Sequence, residues 1–325
     1  MRHFTAQEID AALDFPTLID ALGEAFRGGF DAPQRHHHEI ERFGEPAATS
    51  LLMPAWTSPG AAAGDFLGVK IVNVFPGNST RGLPAVSGLY VLQSGLTGRP
   101  LATMDGTRLT LWRTAAASAL AARHLARSDA KNLLVVGTGA LAPFLARAHA
   151  SQRPIEKIAV WNHRPEGAHR LAQSLNAEGF RAHAAGRLED AVRAADVISC
   201  ATLSQAPLVA GAWLKAGQHL DLVGAFTMHM READDAALQR ARVFVDTSAA
   251  LEEGGDVTLA LKSGALTRAE IVADLAALAR GAPGRGGDEE ITLFKSVGAA
   301  IEDLAAAMLA WGKAGGREVL TSRRS

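Results

Sequence analysis

Between Asn132 and Thr247, five short runs of β-branched and apolar residues, NLLVVGTG, KIAVWNH, DVISCAT, HLDLVGA and RVFVDT, alternate with stretches carrying Ala, Leu and Arg at helical period. Strands each followed by a helix cannot pair as tight hairpins, so the pattern dictates a parallel sheet covered by helices. The first run passes directly into Gly137, Thr138, Gly139, Ala140, Leu141 and Ala142, a G-x-G-x-x-A turn at the mouth of a helix. In such a turn the first glycine permits the tight bend and the second lets a pyrophosphate approach the backbone. The small third residue lets the helix pack close. The helix N-terminus adds N–H donors and the positive end of its dipole. Residues 137–141 are therefore expected to hold a dinucleotide.

The second run ends where NAD-binding proteins usually place an acid on the adenosine ribose. Here Asn162, His163 and Arg164 occupy the turn. An acid would repel a 2′-phosphate, whereas Arg164 would pair with it. NADPH is the expected cofactor, with NADH the alternative; the competing reading makes Arg164 a solvated turn residue. Thr202, at the end of the third run, is expected in the turn over the cofactor. Cys200, inside that run, reads as a small buried apolar residue rather than a nucleophile.

Outside this region the texture differs. Ile9, Leu13, Leu18, Leu22 and Phe26 recur at roughly helical spacing, suggesting one or two amphipathic helices. From about 49 to 104, runs such as LLMPAW, FLGVKIVNVF, AVSGLYVLQ and PLATMD are punctuated by Gly, Pro and Asn, which predicts antiparallel strands. The segment from Leu109 to Arg127 predicts one long helix. The fold class is α/β: a Rossmann-like doubly wound parallel sheet domain over 126–296, and a second, α+β domain over 1–125 completed by 297–325.

The 325 residues carry a formal net charge of −1, so no global field holds a polyanion, and nucleic acid is not an expected partner. The N-terminus is polar within three residues, and VGAAIEDLAAAMLAW is interrupted by Glu302 and Asp303, so no membrane anchor is expected. One cysteine fits a reducing compartment, and the reading is cytoplasmic. His36, His37 and His38 point different ways on a strand or loop, and no metal site is expected.

Lys70 lies inside an apolar run of strand character, and burying an ammonium costs several kcal/mol unless it meets an anion. Arg113 lies near the start of an Ala-rich helix, where a cation opposes the dipole. A ligand carboxylate gripped by both would explain the two placements. The competing readings are an edge-strand amine for Lys70 and a structural ion pair for Arg113.

The stretches GLPAVSGLYVLQSGLTGRPLATMDGTRLTLWRTAAASALAARHLA, LLVVGTGALA, ADVISCAT, VGAFTMHMREADD and ITLFKSVGAAIEDLAAA together resemble the ornithine cyclodeaminase/mu-crystallin family, over about Arg35 to Met308. The resemblance implies a homodimer whose first domain binds substrate and dimerises, and hydride transfer at the α-carbon of an amino acid or its imine. It also implies a substrate carboxylate held by a Lys and two Arg, which match Lys70, Arg113 and Arg35, and Thr114 near the cofactor. The family's cyclodeaminases carry a catalytic Asp two residues after the Gly of VGAFT; this chain has Phe226 there. A phenyl ring cannot move a proton. The branch similar here reduces cyclic ketimines, so the implied substrate is Δ1-pyrroline-2-carboxylate or Δ1-piperideine-2-carboxylate, giving L-proline or L-pipecolate. Phe226 would then form a dry floor under the ring, the competing reading being plain core packing. Lys70 is the first candidate for proton donor, ahead of Thr227 and a bound water. Ornithine cyclodeaminase, alanine dehydrogenase and a non-catalytic NADPH-binding protein are the alternatives.

Overall fold

The computed structural model describes residues 1–61 and 64–316. The chain divides into two compact units, residues 1–113 with 299–325, and residues 114–298.

In the first unit Thr5 and Glu8 form a reciprocal cap on α1 (Ala6–Ala12), and Asp14 caps α2 (Phe15–Arg27) by accepting the Thr17 N–H. Leu13 between them is extended, so the single helical period is split into two helices. The strands are β1 (Arg2–Phe4), β2 (Phe30–Asp31), β3 (His36–Ile40), β4 (Ala48–Thr57), β5 (Phe66–Val74), β6 (Val86–Ser94) and β7 (Pro100–Asp105). They form one sheet in the order β1-β7-β6-β5-β4-β2, with β3 also paired to β4. From β4 to β7 the pairing is antiparallel, as the punctuated runs predict. Strand β1, too short to show a period, joins β7 in parallel.

Alternation assigns the two faces of this sheet. Met53, Lys70, Tyr90 and Met104 are register partners across β4 to β7 and all are buried. The C-terminal helix, Ala300–Lys313, packs against β4, β5, β6 and α2. The opposite rows, Leu52, Ile71 and Leu89, then Trp56 and Leu67, are half-buried or exposed.

Helix α3 (Gly106–Leu125) starts where Asp105 accepts the Arg108 N–H. The division between units falls inside it, between Arg113 and Thr114, rather than after its end. Its later residue Ala122, with Ala126 just beyond, packs with Leu133 and Val135 in a core of the second unit.

That unit is an eight-stranded parallel sheet made of β8 (Asn132–Val136), β9 (Lys157–Trp161), β10 (Ala182–Ala184), β11 (Val197–Cys200), β12 (His219–Leu222), β13 (Arg242–Val245), β14 (Ile271–Asp274) and β15 (Thr292–Lys295). The order is β10-β9-β8-β11-β12-β15-β13-β14, so the chain winds outward in both directions from β8. The helices are α4 (Ala142–Gln152), α5 (Pro165–Ala177), α6 (Leu188–Ala194), α7 (Asp235–Arg240), α8 (Ala250–Glu253), α9 (Gly255–Ser263) and α10 (Leu275–Ala279), leaving Ala300–Lys313 as α11. The five runs read from sequence are five of these eight strands. The last in the chain, β15, inserts between β12 and β13. Among the described residues no helix is long and apolar enough to cross a membrane.

Candidate active site

In the first unit, Lys70 and Arg113 come together over the opening turn of α11. Lys70 Nζ lies 2.9 Å from Asp303 Oδ1, 2.7 Å from Oδ2 and 3.4 Å from Thr110 Oγ1. Arg113 Nη1 lies 2.7 Å from Glu302 Oε2, and its Nε 3.0 Å from Asp303 Oδ1. The four side chains are 2%, 7%, 1% and 0% exposed for Lys70, Arg113, Glu302 and Asp303. The anion that burial of Lys70 demands is thus Asp303, and a ligand carboxylate is not needed to explain either cation. Two cations and two anions leave the quartet neutral. Burial, and then the charge of Arg113, draw the Lys70 ammonium down to about 8, while Asp303 opposes the fall.

The dipole argument for Arg113 does not hold, because α3 begins at Gly106 and Arg113 lies beyond its first turn. Arg35 is half-buried in the segment preceding β3, whose first residue His36 pairs with Leu52. It lies one residue before the strand that pairs with β4. Glu302 and Asp303 carry a sequence signal, two acids in the first turn of an otherwise apolar helix, which fits a site-facing pair and a solvated helix face equally well; the structure buries both against the two cations.

In the second unit the glycine turn fits a phosphate anion. Gly137 has φ +106°, and a Cβ there would stand 2.6 Å from the Ala201 carbonyl oxygen. At Gly139 a Cβ would meet nothing within 4 Å. Gly139 and Ala140 are exposed, and the N–H groups of Gly139, Ala140 and Leu141 donate to no acceptor among the described residues. No side chain caps α4. The turn therefore offers open donors where an anion's oxygens would sit. Thr138 Oγ1 and Asn162 Nδ2 converge on Gly167, standing 2.6 Å and 3.1 Å from where its Cβ would be. The Asn162 amide donates to the Arg164 carbonyl at 3.0 Å. His163 and Arg164 are exposed at the start of α5. Thr114 is half-buried in α3, apart from the turn in sequence.

Thr202 and the segment bearing Phe226 and Thr227 follow β11 and β12, at the carboxyl ends of the parallel strands where ligands of such sheets bind. One buried carboxylate ties them. Glu232 accepts from Thr202 N at 2.6 Å, Thr202 Oγ1 at 2.9 Å, Gly224 N at 2.7 Å and Ala225 N at 3.3 Å. Asp256 in turn accepts the Glu232 and Ala233 N–H groups and lies 3.2 Å from the buried Lys295 Nζ. Burial raises the Glu232 carboxyl to about 7, with Lys295 opposing and Asp256 reinforcing. These acids were not found in the sequence, since nothing local marks a carboxylate that bonds backbone from another loop.

Phe226 is 42% exposed, so the core-packing reading of this ring is wrong. Strand β12 ends at Leu222, and Gly224, pressed against the Thr202 backbone, turns the chain outward before Phe226. Thr227 is half-buried beside it.

A model of the ornithine cyclodeaminase/mu-crystallin family matches residues 4–318. The chain is 40% identical over 284 residues to a Δ1-pyrroline-2-carboxylate reductase from Paracoccus denitrificans, covering 86% of this chain and 88% of that one. Among solved structures, Thermococcus litoralis Δ1-pyrroline-2-carboxylate reductase in complex with NADH and L-proline is 32% identical with a TM-score of 0.90, covering 98% and 100%. An archaeal alanine dehydrogenase dimer with bound NAD is 30% identical with a TM-score of 0.88, covering 99% of each chain.

Proposed function

The chain belongs to the ornithine cyclodeaminase/mu-crystallin family, and we propose that it is a nicotinamide-dependent oxidoreductase that reduces the C=N bond of a cyclic ketimine carboxylate to L-proline or L-pipecolate. The observation that carries reduction over deamination is Phe226, exposed on the loop after β12 where the family's cyclodeaminases carry an acid. Similarity to reductases of Δ1-pyrroline-2-carboxylate, one of them in complex with NADH and L-proline, supports the same reading. The assay that tests it offers Δ1-pyrroline- and Δ1-piperideine-2-carboxylate against L-ornithine and L-alanine, with NADPH and NADH. Ammonia release from ornithine with no loss of nicotinamide absorbance on either imine overturns it.

Bound at the glycine turn, a reduced nicotinamide supplies the hydride. Gly137 to Leu141 would hold its phosphates, Thr138, Asn162, His163 and Arg164 its adenosine side, and Thr202 and Thr114 would line its course. Lys70, Arg113 and Arg35 would grip the substrate carboxylate, and fixed geometry alone can supply about 7–11 kcal/mol toward the barrier. Phe226 and Thr227 would border the ring, with Phe226 excluding water from it.

Lys70 is the acid that protonates the imine nitrogen in this reading. Its ammonium must be present, and its midpoint is drawn down to about 8. Because the charged form is the active one, kcat/KM should be flat below that pH and fall roughly ten-fold per unit above it. A basic limb that moves with the imine's own basicity, from one ring size to the other, would show that the substrate arrives already protonated.

NADPH is the preferred cofactor in this reading, because the turn after β9 offers Asn162, His163 and an exposed Arg164 in place of an acid. Solved relatives hold NADH and NAD, which keeps NADH as the second reading. Arg164→Ala should weaken NADPH about ten-fold or more while leaving NADH almost unchanged. Equal losses in both affinities would remove the phosphate assignment.

A homodimer is the assembly this reading expects, and the outer face of the first unit's sheet supports it. Leu52, Ile71, Leu89, Trp56 and Leu67 line that face, and the unit's C-terminal helix packs on the other. Apolar surface of this kind marks an association site, and a relative is a dimer.

A further inference from the structure

Tyr90 is the only tyrosine of the chain, and its hydroxyl is buried with no hydrogen-bond partner among the described residues. The residue is 1% exposed and stands opposite Lys70 in the β5–β6 register. Its phenol leans along the sheet over Gly68, filling the space where a Cβ at that position would stand. Asp303 is near enough that its charge adds to burial in raising the phenol.

A buried tyrosine normally finds a partner for its hydroxyl, because leaving the donor unmatched forfeits its hydration. Phenylalanine would fill the same volume without that loss. Lys70 and Arg113 are meanwhile shared with Asp303 and Glu302, so an incoming carboxylate meets a neutral cluster. What such a cluster lacks is a neutral donor that no protein group has claimed. We propose that the Tyr90 hydroxyl donates a hydrogen bond to the carboxylate of the cyclic imino acid, as a specificity residue beside Lys70. The assignment rests on the reading that this cluster holds the substrate carboxylate, and adds a neutral contact to the three cations.

Tyr90→Phe in the full chain tests it by opposite signs on stability and binding. Removing an unmatched hydroxyl should raise the ligand-free melting temperature by about 2 °C or more. The KM for the imine should rise about ten-fold with a smaller change in kcat. Incorporating 3-fluorotyrosine gives one fluorine resonance, because there is one site. That resonance should shift saturably with L-proline and stay in place with pyrrolidine, which has the ring without the carboxylate. An unchanged KM, or a lowered melting temperature, would overturn the proposal by making the hydroxyl idle or structural. If the unaltered chain turns over no cyclic imine, the parent reading fails by itself. A fluorine shift with L-proline alone would then keep Tyr90 as a carboxylate donor, and no shift would remove it.

Discussion

Lys70→Met is expected to lower kcat/KM for the cyclic imine by roughly 10²–10⁴-fold, the range for losing a positioned acid, and to erase the limb above about 8. It should also destabilise the chain. Within the quartet Arg113 would then face both Asp303 and Glu302, and breaking a buried pair by removing one partner costs about 3–5 kcal/mol. Asp303→Asn should act from the other side: without the carboxylate that opposes its fall, the Lys70 ammonium loses its proton below about 8 and the activity limb moves to lower pH. The double variant Lys70→Met/Asp303→Asn separates the two effects. Replacing both charges by neutral groups of similar volume leaves no uncompensated ion, so much of the stability should return while turnover does not. Thermal melts and steady-state kinetics on the three variants read this out. A Lys70→Met variant with normal turnover would remove Lys70 from the chemistry. A double variant that regains activity would show that the pair is only a structural tie.

What the sequence discloses about this site follows the range of each interaction. The turn from Gly137 to Leu141 is legible because strand, bend and helix are contiguous, and each glycine's role is set within a few residues. Lys70 is legible as a residue in need of an anion, since its apolar neighbours in β5 announce burial. The identity of that anion is not: Asp303 is 233 positions away and reaches Lys70 only because α11 packs back on the sheet. The same holds for Glu232, whose acceptors' worth lies in backbone N–H groups of other loops, and for β15, whose place between β12 and β13 no linear order discloses. Phe226 shows the opposite case. Of its two readings, a floor under the substrate ring and plain core packing, the second fails because the strand ends four residues earlier and the ring is exposed.

The glycine turn offers a second large effect, in which two alanine substitutions two residues apart should fail for different reasons. At Gly137 the backbone has φ +106°, and an added Cβ would press to 2.6 Å from the Ala201 carbonyl oxygen and 3.1 Å from Thr202 Cγ2. Gly137→Ala is therefore expected to strain the end of β11 as well as the turn, costing about 1–3 kcal/mol and lowering the melting temperature without any ligand. Gly139 does not have a left-handed backbone, and its Cβ would enter open space. Gly139→Ala should leave the melting temperature of the ligand-free chain almost unchanged. The methyl would stand beside the open N–H groups of Ala140 and Leu141, in the volume a pyrophosphate needs, so affinity for NADPH and NADH should fall together by about ten-fold or more. Melting curves with and without dinucleotide distinguish the two, since Gly139→Ala should lose most of the ligand-induced rise while starting from the normal value. Normal dinucleotide affinity in Gly139→Ala would mean that the phosphates lie elsewhere. A stability loss in it as large as that of Gly137→Ala would mean the space above the turn is already filled by protein.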